Sequence, residues 1–131
     1  VKKNYINYVG LEDNFFLKEK VVNFVSFYKK ISENDYCVEN FTYDQVLPFL
    51  LKKPTCTKYS SPWIASPLEQ QNNYIDQLKS SNPSFIIYRS GKGHMDSVPM
   101  AERLHKVNEY ILYEYEPFQT FDIYEIYKKK N

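Results

Sequence analysis

Apolar positions along the chain alternate between a helical period and short strand-like runs. Val21, Phe24, Val25, Tyr28 and Ile31 recur at i, i+3, i+4, i+7 and i+10, one face of a helix that Asp13 or Asn14 can cap. The first twelve residues show no period and read as an irregular lead-in. After Ser32-Glu33-Asn34, the run Asp35 to Phe41 carries Tyr36, Val38 and Phe41 and predicts a strand. Thr42-Tyr43-Asp44-Gln45 has the form of a capping box, and Val46, Leu47, Phe49, Leu50 and Leu51 continue it as a short helix. Lys52-Lys53-Pro54 ends that helix with cations at its negative end, and Thr55 to Tyr59 predicts a second strand. This is a strand–helix–strand unit, whose crossover is right-handed in nearly all sheets and often joins neighbours.

Downstream, Ser66-Pro67-Leu68-Glu69 predicts a cap, a proline at the first helical position and a box-closing glutamate. The helix to about Ser80 presents Leu68, Gln71, Ile75 and Leu78, and Ser81-Asn82-Pro83 breaks it. Ser84 to Tyr88 is nearly all apolar, as a strand buried on both faces would be. Pro99 opens another helix, where Ala101, Leu104, Val107, Asn108 and Ile111 share a face to about Tyr115. Phe118 to Tyr127 predicts one strand or a tight hairpin about Asp122, followed by a solvated tail, Lys128 to Lys130. The order of elements predicts an α/β fold: a three-layer α/β/α sandwich with a mostly parallel sheet. We expect strand order 2-1-3, with an antiparallel C-terminal edge strand or hairpin.

Composition narrows the function classes. The chain has 131 residues, enough for one core, and 43% are hydrophobic, so we expect a single domain over residues 1–131. Its 17 basic and 16 acidic side chains leave a net charge of +1, which gives nothing to attract nucleic acid. No apolar run approaches the roughly 18 residues of a membrane span. The 13 Tyr and 9 Phe could offer stacking platforms, but core packing accounts for them more simply.

Most catalytic signatures are missing. His94 and His105 are not a zinc-helix pair, and no Cys-x-x-Cys is present, so neither a metal site nor a dithiol pair is expected. Gly91-Lys92-Gly93 lacks the third glycine of a dinucleotide fingerprint and the Gly-Lys-Ser/Thr ending of a phosphate loop, so no cofactor is expected. No catalytic residue is assigned. The best candidate ligand site is the polar loop after the third strand, with Arg89, Lys92, His94 and Asp96 where open α/β sheets place ligands. Lys58 and Trp63 follow the second strand and could share that edge. On this alternative the chain is a stand-alone α/β module that binds a small anionic ligand. Cys37 and Cys56 lie on two strands whose neighbouring Cα atoms could span a disulfide. Two buried free thiols fit the same residues.

The ordered motifs carry a resemblance. The helix from Val21 to Ile31 and a Cys-Val strand precede Leu47-Pro48-Phe49-Leu50-Leu51-Lys52-Lys53-Pro54-Thr55-Cys56-Thr57-Lys58-Tyr59. Ile64-Ala65-Ser66-Pro67, Gln70-Gln71, Ile75-Asp76-Gln77-Leu78 and Pro83-Ser84-Phe85-Ile86-Ile87-Tyr88 follow. From about Val21 to Lys129 this resembles the soluble C-terminal domain of bacterial polytopic membrane proteins of the glycosyltransferase C type, relatives of dolichyl-phosphate-mannose and arabinosyl transferases. The resemblance implies a non-catalytic domain on the periplasmic or extracytoplasmic face of the inner membrane, preceded by membrane segments. Its partners would be the transmembrane part of the same polypeptide and a lipid-linked sugar or acceptor. The resemblance also implies the oxidised form, a Cys37–Cys56 bridge, in such a compartment.

Overall fold

The computed structural model describes residues 18–89, 96–121 and 124–131. It begins with α1 (Glu19–Ile31), β1 (Glu39–Phe41) and α2 (Val46–Leu51). A 3-10 turn (Pro62–Ala65), α3 (Leu68–Ser81) and β2 (Phe85–Tyr88) follow. The chain then forms α4 (Met100–Arg103), α5 (His105–Glu114), β3 (Tyr115–Phe121) and β4 (Tyr124–Lys129).

The sheet is mixed. Its order is β1-β2-β4-β3; β1 and β2 run parallel, whereas β2–β4 and β4–β3 run antiparallel. The expectation of a mostly parallel sheet is therefore corrected. The C-terminal residues form two paired strands, with Phe121 opposite Tyr124, and these long strands supply most of the ladder. β3 begins at Tyr115, directly after α5, and β4 takes in Lys128 and Lys129 that had read as tail. Lys130 Nζ donates to Leu112 O (3.0 Å) and Tyr113 O (2.9 Å), so it satisfies carbonyls left open at the end of α5. On the outer strand, Pro117 and the register shift between Pro117 and Gln119 interrupt the ladder, a common protection for a sheet edge.

The second predicted strand, Thr55 to Tyr59, is reduced to one parallel bridge, Val38 to Thr55. Val38 N donates to Pro54 O and Cys56 N to Val38 O, and the ladder then stops. Its threonines divert the chain: Thr55 Oγ1 donates to Thr57 O (2.7 Å), and Thr57 Oγ1 accepts from Tyr59 N (3.2 Å). Such local side-chain bonds compete with strand pairing. Two predicted capping boxes also fail. Thr42 Oγ1 donates to Asn40 Oδ1 (2.7 Å) and accepts from Asp44 N (3.0 Å), forming a turn before α2. Ser66 Oγ donates back to Trp63 O, closing the 3-10 turn rather than capping α3. α2 does end at Leu51, with Lys52 as its left-handed cap (φ 54°), but the Lys53 ammonium reaches the carbonyls of Ser32 and Asp35 after α1 rather than the helix end.

Apolar burial falls in two clusters, and alternate residues of β2 divide between them. Ile86 and Tyr88 pack with Tyr74 and Leu78 of α3 and with Leu104, Val107 and Ile111. Ile87 packs with Phe24, Val25 and Tyr28 of α1 and with Leu47, Leu50 and Leu51 of α2. The predicted face of α1 is thus largely buried. In α3 the buried stripe is Gln71, Tyr74 and Leu78, while Leu68 is exposed. The helix after Pro99 is broken at Leu104 (φ −112°, ψ 57°), yet Leu104, Val107 and Ile111 keep their shared burial.

Cys37 and Cys56 form a disulfide with Cα atoms 4.9 Å apart, at the single bridge between Val38 and Thr55. Covalent closure thus sits where the backbone ladder is thinnest. Among the described residues, no helix is long and apolar enough to cross a membrane.

Candidate functional site at the carboxyl ends of the parallel strands

β1 and β2 end side by side, Phe41 opposite Tyr88, so the segments after them share one edge of the sheet. Thr42, Tyr43 and Asp44 leave β1 there, Arg89 leaves β2, and Tyr124 opens β4 close by. The Asp44 carboxylate accepts from the Tyr124 hydroxyl and from Val46 N (3.3 Å). Asn40 Nδ2 donates to Asp44 O (2.7 Å), which fixes the turn that presents the carboxylate.

A second group faces the same edge. Tyr43 donates its hydroxyl to Val98 O (2.8 Å) and accepts from Arg103 Nε (3.0 Å). Arg103 also pairs with Asp96, an ion pair whose acid is 63% exposed and therefore adds little to stability. Asp96 and Ser97 both have positive φ, 52° and 63°, which turns the chain back toward α4. Deeper in the fold, buried Gln71 accepts from Lys106 N (3.0 Å) and donates to Ser66 O (2.7 Å), tying the 3-10 turn to the start of α5.

The electrostatics follow from burial. The Tyr124 phenol is held above its usual range by burial first and by Asp44 second, and Arg89 pulls it partly back. Tyr88, whose hydroxyl donates to Asn108 Oδ1 (2.7 Å), is pushed up to about 12, mainly by burial. These phenols stay protonated at neutral pH and act as hydrogen-bond donors. Asp44→Ala should leave the Tyr124 hydroxyl without its acceptor and cost about 2 kcal/mol, read as a lower urea midpoint. An unchanged midpoint would mean that water replaces the carboxylate at no cost.

Of the predicted ligand residues, Arg89 and Asp96 come to this edge, with Asp96 paired to Arg103. Lys92 and His94 lie outside the described residues. Lys58 is held elsewhere, its amide donating to Gln77 Oε1 on α3 (2.7 Å) and its ammonium 5.2 Å from the Tyr59 ring centre. Trp63 is 37% exposed on the 3-10 turn, so it is not the core plug that lone tryptophans usually are. Sequence reading missed Asp44, Tyr124, Tyr43 and Arg103. Among the described residues, no group of three or more His, Cys, Asp or Glu could hold a metal ion.

Among the described residues, the most perturbed acid lies away from this edge. Glu39 of β1 is 2% exposed and shares the alternation of Cys37 and Phe41, whose side chains enter the core cluster of α3 and α5. Its carboxyl accepts from Tyr74, which stacks on Tyr59 with ring centres 5.4 Å apart. Burial pushes the Glu39 carboxyl up to about 8, although the Tyr74 hydrogen bond pulls the other way. Buried at 2% exposure and hydrogen-bonded to a buried tyrosine, Glu39 is read as a core acid.

No protein-family model matches the chain, and neither does any curated protein. The fold has a distant likeness to the crystal structure of the C-terminal globular domain of an oligosaccharyltransferase from Archaeoglobus fulgidus. Sequence identity is 9% and the TM-score 0.47, over 87% of this chain and 99% of that one. A likeness of that size carries no argument about function.

Proposed function

We propose that this chain is an extracytoplasmic accessory domain of a membrane glycosyltransferase-like protein. It caps the transmembrane part of the same polypeptide and helps to shape the pocket for a lipid-linked sugar or its acceptor. The observation that carries the reading is the Cys37–Cys56 disulfide. Such bonds persist in oxidising compartments and are rare in a reducing cytosol. The resemblance, from about Val21 to Lys129, to soluble domains of that class supplies the parent.

The polar groups at the strand ends bond to one another and hold the loops that would face the rest of the polypeptide. Asp44 takes the Tyr124 hydroxyl and Val46 N, Asp96 takes Arg103, and Tyr43 links Arg103 to Val98.

The test is fractionation of the native host with an antibody to this domain. The reading predicts a membrane-bound band several times larger than the 15.7 kDa of this chain. A water-soluble band near 15.7 kDa would rule the proposal out.

A further inference from the structure

Five large apolar side chains stand in solvent along one short stretch of sequence: Phe49 is 72% exposed, Ile64 54%, Leu68 53%, Val46 41% and Trp63 37%. The fold puts them there. In the six-residue α2, Leu47, Leu50 and Leu51 fill the core, so Val46 and Phe49, three apart, turn outward together. The Ser61 hydroxyl donates to Gln45 Oε1 (3.1 Å), which brings the start of the 3-10 turn beside the start of α2. Val46 follows Gln45 directly and Trp63 lies two residues beyond Ser61, so this bond ties together the two segments that carry them. Ile64 and Leu68 continue the run of exposed apolar positions through the 3-10 turn and into α3.

The charge pattern of this stretch indicates what covers it. From Gln45 to Leu68 there is no Asp or Glu, although the chain holds 16 of them, and there are three lysines. Lys53 is engaged after α1, whereas Lys52 and Lys58 are exposed, the Lys58 ammonium lying beside the Tyr59 ring. The acids that bound the stretch are Asp44, already hydrogen-bonded to Tyr124 and Val46 N, and Glu69. Aromatic and aliphatic side chains flanked by lysines suit the boundary between acyl chains and anionic head groups. A second copy of the chain suits it less well, since within Gln45 to Leu68 the lysines have no acid of the same stretch to meet across a twofold contact, and only Glu69 at its border is an exposed carboxylate.

We infer that Val46, Phe49, Trp63, Ile64 and Leu68, with Lys52 and Lys58, form a docking face for an anionic lipid surface. The domain rests on the bilayer through this face, with Phe49 and Ile64 entering deepest. The inference stands on observations separate from the disulfide, so it survives if the parent is not a glycosyltransferase, and its failure would leave the compartment reading intact.

The test uses vesicles of phosphatidylglycerol and phosphatidylcholine in equal parts, with phosphatidylcholine alone as the second arm. Trp63 is the only tryptophan, so its emission reports this face alone. The chain should sediment with the anionic vesicles and its emission should shift to the blue. Binding to phosphatidylcholine alone should be weaker by about tenfold, and K52E/K58E should abolish that preference. F49S/I64S should weaken anionic binding by at least about tenfold and leave the fold intact, since both side chains are exposed. Absence of sedimentation and of a blue shift would overturn the inference. So would equal binding by F49S/I64S, or a concentration-dependent dimer that this variant abolishes.

Discussion

Raising the pH from 5 to 8 should destabilise the wild-type chain steadily and leave Glu39→Gln almost unmoved. The Glu39 carboxyl ionises near 4.5 when free of the fold and is pushed up to about 8 by burial in it. Between those values the folded chain keeps a proton that the unfolded chain has lost, so rising pH favours unfolding. At its steepest the slope is about 1.4 kcal/mol per pH unit, and over the whole window the loss reaches several kcal/mol. Below about pH 4.5 the effect vanishes, and above about 8 it levels off. Glutamine cannot ionise and retains an oxygen to accept the Tyr74 hydroxyl. Glu39→Gln should therefore match the wild type to within about 1 kcal/mol at pH 5 and exceed it by several at pH 8.5. Urea midpoints for both chains across that range would show it. Parallel pH profiles would mean that Glu39 reaches water in the folded chain.

Replacing both cysteines should cost about 3 kcal/mol. The bond spans 19 residues of sequence, and a loop of that size loses roughly this much closure entropy when unfolded. Here it also guards a weak place in the fold, because beside it the backbone offers only the Val38–Thr55 bridge. Cys37→Ala/Cys56→Ala should melt about 10 °C lower at equal pH. Full reduction of the wild type should have the same effect, because it removes the same covalent closure. A melting temperature within about 2 °C of the wild type would show that the hydrogen bonds of Val38 alone hold the segment.

Part of this architecture is readable from short-range pattern. The spacing of Val21, Phe24, Val25 and Tyr28 locates α1 because an amphipathic helix declares its period within a few turns. The apolar run Phe85 to Tyr88 announces a strand with neighbours on both faces, and β2 lies between β1 and β4. What failed depended on choices between local and distant partners. Thr42 could cap a helix by pattern, but its hydroxyl turned to Asn40 and Asp44. Thr55 and Thr57 have good strand propensity and yet bond to their own neighbours. Leu68 suits the buried stripe of α3 by spacing, but that stripe runs through Gln71, Tyr74 and Leu78.

The strand-end site was half legible. The place of Arg89 follows from the general habit of α/β sheets, whereas the Asp44–Tyr124 bond joins residues 80 apart and leaves no mark in either segment. Glu39 did carry a signal. It sits between Cys37 and Phe41 with the parity of both, and in a strand that parity places its carboxyl on the same face as theirs.

The claim that this domain works outside the cytoplasm is tested most directly by the state of Cys37 and Cys56 in the living host. Cells quenched in acid and treated with a polymer-linked maleimide would report free thiols as a mass shift. The account predicts that Cys37 and Cys56, read by mapping the labelled peptides, take up no maleimide until a reductant is added, and that both take it up afterwards. Full labelling of both cysteines without reductant would contradict it.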